Sequence, residues 1–266
     1  MSAIGRVLII AGSDSGGGAG IQADIKTVTA LGGYAATAIT AITAQNTRGV
    51  HGVHPVPLQM IEAQARAVLS DIGADVIKTG MLGDAAVVSL VARLLAESGL
   101  PAVIDPVMVA KGGANLLDAS AVSEVRDQLI PLADLLTPNV PEAEALTGLS
   151  IANLDDQRRA GHALLEAGAK AVLMKGGHVP GERVVDLLMT PDGETAFEGE
   201  RIATRHTHGT GCTLASACAT GLAQGLPLTT AVARAWHYVH EAIVGAPGLG
   251  AGHGPLDHGW PLRGRI

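Results

Sequence analysis

Residues 206–216, His-Thr-His-Gly-Thr-Gly-Cys-Thr-Leu-Ala-Ser, pass from a polar stretch through two glycines into an Ala-rich helical pattern that continues to Gln224. Gly209 and Gly211, with Thr210 between them, let successive N–H groups turn toward one point. A helix starting near Gly211 adds unpaired donors and the positive end of its dipole. Such a stretch binds an anion. Cys212 would sit in it, where a helix N-terminus favours thiolate over thiol. A glycine-containing helix entry with a core cysteine is the competing reading of the same string.

Further residues able to do chemistry stand where strands end. Val7–Ala11 is an apolar run followed by Gly12-Ser-Asp-Ser-Gly-Gly-Gly-Ala-Gly20 and a helical pattern over Ile21–Leu31, the opening half of a βαβ unit. Gly12 and Gly17 have the spacing of a Walker A loop, but Gly18 and Ala19 replace its Lys and Ser/Thr, so the loop is read as one that brings a ligand close to backbone. Asp24 lies one turn into the helix, as a polar anchor or as an acid complementing the helix dipole. Ala35–Ala44 alternates Thr and Ile and ends at Gln45, an amide able to read both donors and acceptors. Val76–Thr79 leads to Gly80-Met81-Leu82-Gly83, with Asp84 as N-cap of a helix over Ala85–Glu97. Ala102–Asp105 is closed by Pro106 and followed by Val107.

Helical patterns at Leu58–Ser70, Asp155–Ala167 and Pro227–Ile243 supply cover for these strands. After Leu135–Thr137, Asn139 and Glu142 have capping-box spacing, which needs no functional explanation. Ala171–Lys175 ends in Lys175-Gly-Gly-His178, where Lys175 would meet a phosphate or simply solvent. Arg183–Met189 and Glu194–Arg205, joined by Pro191-Asp-Gly193, read as an antiparallel hairpin on the sheet edge. His178–Glu182 and Ala110–Asn115, both Gly-rich, are the candidate flexible stretches. The polar residues recur at the carboxyl ends of parallel strands, where open α/β sheets bind ligands.

Composition narrows the classes. The 266 residues include 47% hydrophobic and only 2% aromatic ones, so the core is aliphatic and no base-stacking platform exists. A formal charge of −7 opposes binding a polyanion, which makes nucleic acid an improbable partner. Cys212 and Cys218, about 9 Å apart along one helix, should not bridge each other, in keeping with a reducing cytoplasm. The Val7–Ala11 run is too brief for a signal peptide, and no run approaches a membrane helix. His237 and His240 share a helix face but match no zinc-protease motif.

Taken together, Ala11–Asp24, Thr43–Thr47, Gly80–Gly83, Asp105–Lys111, Thr137–Glu144, Lys175–His178, Thr207–Thr213 and His253–Pro255 resemble the ribokinase superfamily, and within it the hydroxymethylpyrimidine/phosphomethylpyrimidine kinases. The resemblance runs through the chain in order. It implies one ribokinase-like α/β domain over 1–266, with a mostly parallel central sheet, helices on both faces and a small antiparallel edge. It also implies two successive ATP-dependent phosphorylations, of hydroxymethylpyrimidine and then of its monophosphate, in a cytoplasmic homodimer. Carried over residue by residue, Gly12, Asp24, Gln45, Met81 and Val107 bind the pyrimidine. Asn139 and Lys175 lie near the nucleotide phosphates, Asp105 and Glu142 organise Mg²⁺, and Gly209–Cys212 hold the transferring group. Most of the superfamily has Asp where this chain has Cys212, a departure characteristic of the pyrimidine-kinase branch. Cys212 is then expected to accept the hydroxymethyl proton. Pyridoxine or pyridoxal kinase is the nearest alternative. A non-catalytic binding protein and a cysteine hydrolase using His206 or His208 come from other classes.

Overall fold

The aliphatic run at Val7–Ala11 forms the centre of β1 (Arg6–Asp14), with Leu8 and Ile10 in one core layer and Val7, Ile9 and Ala11 in the other. Burial on both faces is what a central parallel strand needs, and it explains the unbroken apolar pattern. The computed structural model describes residues 4–108, 116 and 121–263. Val109, Lys111 and the rest of Ala110–Asn115 lie outside the described residues.

β1 pairs in parallel with β2 (Tyr34–Asn46) on one side and β4 (Val76–Thr79) on the other. From β4 the parallel sheet continues through β5 (Ala102–Ile104), β6 (Leu135–Leu136) and β7 (Val172–Met174). β8 (Arg183–Thr190) and β9 (Gly193–Glu200) add the expected antiparallel hairpin. With β3 (Gly49–Pro55) at the far edge, the order is β3-β2-β1-β4-β5-β6-β7-β8-β9, so the chain reverses its direction of travel at β1 and β4. That is the switch point at which the carboxyl edge opens into a crevice.

α1 (Gly20–Ala30), α7 (Thr210–Ala223) and α8 (Leu228–Val244) contribute to one core layer; α2 (Leu58–Asp71), α3 (Ala85–Ser98), α5 (Val140–Thr147) and α6 (Leu154–Glu166) contribute to the other. Asp84 caps α3, accepting from Val87 N at 2.9 Å, and Gly99 ends it in the left-handed conformation. α7 is buried all round from Thr213 to Gly221, and its small residues let it lie directly against the sheet.

The single expected antiparallel edge becomes two. β3 (Gly49–Pro55) pairs antiparallel with the far end of β2. Its glycines and proline hide it from a reading by propensity, and an edge strand is where both are tolerated. A short helix, α4 (Ala121–Glu124), runs into a π-helical turn over Val125–Leu129, whose Val125 and Leu129 are buried. The hairpin ends at Glu200 and not at Arg205. Arg201 turns away from it to donate to Gly177 O, Val179 O and Gly181 O, tying down the His178–Glu182 stretch expected to be flexible.

Candidate active site

The entry to α7 is built by Gly209, its N-cap, at φ +85°. A Cβ there would stand 1.8 Å from Gly18 O, so both the left-handed backbone and the close approach of the Gly12–Gly20 loop require glycine. The helix begins at Thr210, with no side chain occupying its first N–H groups. Thr213 Oγ1 donates to Gly209 O (2.8 Å) and lies 2.9 Å from the buried His258 Nε2, fixing this turn from behind. The helix expected to begin near Gly211 thus begins at Thr210, directly behind a left-handed Gly209.

A charged cluster faces the same turn. Lys175 Nζ, at the end of β7, lies 2.9 Å from Asp105 Oδ1 and 3.8 Å from Glu142 Oε2, and 3.2 Å from where a Cβ on Gly211 would stand. Burial alone lowers the lysine, but Asp105 and Glu142 outweigh it and hold Lys175 charged, above its ordinary value. Glu142 is also half of the expected capping box: Asn139 N donates to its Oε2 at 2.8 Å, and Glu142 N donates to Asn139 Oδ1 at 3.0 Å. Burial pushes Glu142 up to about 7, with Lys175 opposing and Asp105 adding to the shift. Capping and a place in the cavity are thus compatible in one residue. Asp105 and Glu142 together offer a pair of oxygen donors beside a lysine, a set that fits Mg²⁺ held jointly by protein and substrate phosphates.

Two sequence expectations change. Asp24 does not reach the cavity: its carboxylate has no exposed surface, lies 3.0 Å from Lys78 Nζ and accepts from Ser216 Oγ at 2.7 Å. The residue lies inward of the first helical turn, where β4 brings a fully buried Lys78 against it. Nothing in the local sequence announced Lys78 as its partner. Cys212 is not a thiolate. Burial pushes its thiol up to about 12, Asp24 and Asp105 add to this, and Lys78 opposes only in part. The helix end does not offset partial burial and two neighbouring carboxylates.

All the other expected residues line one cavity of about 640 Å³: Gly12, Gln45, Met81, Val107, Asp105, Asn139, Glu142, Lys175, Gly209, Thr210, Gly211 and Cys212. Its size is that of a small-molecule site. The same cavity is lined by Val184, Val239 and Ile243, which the sequence reading missed because these are ordinary apolar positions on a strand and a helix. Asp186, Asp14 and His208 also line it. Asp186 accepts from Gly176 N at 2.7 Å, and burial pushes it up to about 6.

The sequence pattern of the family described as phosphomethylpyrimidine kinase matches residues 14–257. A hydroxymethylpyrimidine/phosphomethylpyrimidine kinase of Streptomyces coelicolor is 51% identical over 256 residues, covering 96% of this chain and 95% of that protein. A thiamine biosynthesis bifunctional protein of Geobacter sulfurreducens is 54% identical over 255 residues, and the match takes in 96% of this chain but 52% of the longer protein, about half its length. Among solved structures, an ADP complex of Bacillus subtilis pyridoxal kinase superposes with a TM-score of 0.91 at 38% identity, covering 98% of this chain and 99% of that one. A phosphomethylpyrimidine kinase from Clostridium difficile 630 gives 0.81 at 43% identity over 90% of this chain and 99% of that one. With the match running from the glycine loop through the α7 anion nest, this chain belongs to the phosphomethylpyrimidine kinase family.

Proposed function

We propose that this chain is an ATP-dependent phosphotransferase of thiamine biosynthesis that phosphorylates 4-amino-5-hydroxymethyl-2-methylpyrimidine and then its monophosphate to the diphosphate. The observation that carries the reading is that an amide (Gln45), a lysine–carboxylate cluster and a helix N-terminus without a side-chain cap, bearing Cys212, all line one cavity. Gly12, Gln45, Met81 and Val107 bind the pyrimidine. The apolar lining residues Val184, Val239 and Ile243 are assigned to the nucleotide base, and Asn139 and Lys175 to its phosphates. Asp105 and Glu142 hold Mg²⁺, which when bound offsets charge on the phosphates. The N–H groups of residues 209–212 hold the transferring phosphoryl group and meet the charge that develops on it.

The two steps make different demands on Cys212. The alcohol of the first substrate must lose a proton as it attacks, whereas the phosphate of the second is already ionised near neutral pH. With its thiol near 12, Cys212 accepts a proton only through the small thiolate fraction. Once Glu142, at about 7, has ionised, the kcat/KM of the first step is therefore expected to go on climbing with pH, and that of the second to stay flat.

ATP-coupled turnover with the pyrimidine alcohol and with its monophosphate tests the assignment, with pyridoxine as control because a structural relative acts as a pyridoxal kinase. Preference for pyridoxine would move the chain to that neighbouring activity, and absence of substrate-dependent ADP would leave only a binding protein. No helix among the described residues is long and apolar enough to cross a membrane. A cytoplasmic homodimer that binds no nucleic acid completes the proposal, and light scattering on the purified protein tests its dimeric part.

A further inference from the structure

Asp14 sits in the glycine loop and is buried. Its carboxylate accepts from Gly16 N (2.8 Å), Gly18 N (3.1 Å) and Ala19 N (2.8 Å), and lies 2.8 Å from His208 Nε2. Burial raises Asp14, but the bonds from His208 and the backbone reverse this and hold it below its ordinary value. An ionised carboxylate only accepts, so His208 Nε2 carries a hydrogen whatever the charge on the ring.

The same Nε2 meets the amide of Gln45. The amide nitrogen is 3.4 Å from His208 Nε2, and the amide oxygen is 3.3 Å from Thr43 Oγ1. Thr43 has one hydroxyl hydrogen and gives it to Ser13 O at 2.8 Å, which leaves Oγ1 an acceptor on the side of Gln45. Donor therefore faces donor and acceptor faces acceptor unless the amide makes a half-turn about its last bond. The orientation compatible with both neighbours directs Nε2 at Thr43 Oγ1 and Oε1 at His208 Nε2, whose one hydrogen points to Asp14 at 2.8 Å and reaches Gln45 only as the longer branch of a three-centre bond.

We propose that Asp14, His208 and Thr43 act as positioning residues that set the polarity of the Gln45 amide and thereby fix which way round an aminopyrimidine ring docks. With those bonds made, Gln45 keeps one oxygen lone pair and one N–H for the cavity. This pair matches an exocyclic amino group next to a ring nitrogen, and reversing the amide would reverse the ring and carry its hydroxymethyl arm to the other side. A pyridine alcohol lacks that adjacent donor and acceptor, so it leaves the preset pair unsatisfied. The inference rests on the pyrimidine substrate proposed above.

Calorimetric binding of hydroxymethylpyrimidine and of pyridoxine to the intact protein and to His208→Leu, His208→Gln and Thr43→Val tests it. His208→Leu is expected to weaken the aminopyrimidine at least tenfold and pyridoxine by less than threefold. His208→Gln, whose amide N–H₂ can serve both Asp14 and Gln45, stays within threefold. Equal weakening of both ligands, or unchanged aminopyrimidine binding, overturns the proposal. If His208→Leu does not fold by circular dichroism, Thr43→Val carries the test: its selectivity is expected to fall at least threefold, and an unchanged ratio overturns it. Wild-type binding without turnover defeats the kinase assignment and leaves this inference standing. Wild-type protein that binds the aminopyrimidine no better than pyridoxine defeats the inference.

Discussion

Lys78 and Asp24 place two opposite charges where neither has any exposed surface, under the helix that carries Cys212. Such a pair gives little net stability over apolar residues, but breaking it strands a buried charge. Asp24→Asn is therefore expected to cost about 3–5 kcal/mol in a denaturant titration while leaving the KM for the pyrimidine within a fewfold of wild type. A large KM effect on a stably folded variant would restore Asp24 to the substrate site. The residue illustrates where sequence reasoning stops. Gln45, Lys175 and Cys212 were legible because each closes a strand or opens a helix, positions with a known relation to the crevice. Asp24, Lys78, Asp14 and His208 lie 54 and 194 positions apart as partners, and only the packed fold pairs them.

Among elements, the entry to α7 is the most constrained. Gly209→Ala would need both a left-handed alanine and the displacement of Gly18 O, and is expected to cost at least about 2 kcal/mol and to lower kcat more than a hundredfold. Urea unfolding and turnover measure the two losses; an active, stable variant would show that the nest is not formed as described. His258 supports the same turn through Thr213. Burial chiefly, with Lys26 adding, pulls its imidazole down to about 4. Between about 6.5 and 4 the unfolded chain binds the proton that the folded chain refuses, so this histidine's contribution is lost as pH falls through that window. Relative to His258→Gln, wild type is expected to lose up to about 3 kcal/mol of stability from pH 7 to 4, read as the difference between two urea series. Long aliphatic strands and capped helices were readable because their periodicity is local. β3, rich in glycine, and the turn at Val125–Leu129 depend on neighbours distant in sequence.

For the molecule as a whole, one sheet with its switch point at β1 and β4 collects residues from nearly the full chain at its carboxyl edge, and the cavity there is the consequence. We propose that Cys212, a thiol at rest, serves the proton of an alcohol and not a covalent bond. Cys212→Ala is expected to lower the rate constant for phosphorylating hydroxymethylpyrimidine by roughly 10²–10⁴ and that for its monophosphate by less than about tenfold. Single-turnover rates for both steps, measured on wild type and Cys212→Ala with ATP and Mg²⁺ saturating, give the answer directly. A loss confined to the first step is the result expected here, and equal losses in the two rate constants would contradict it.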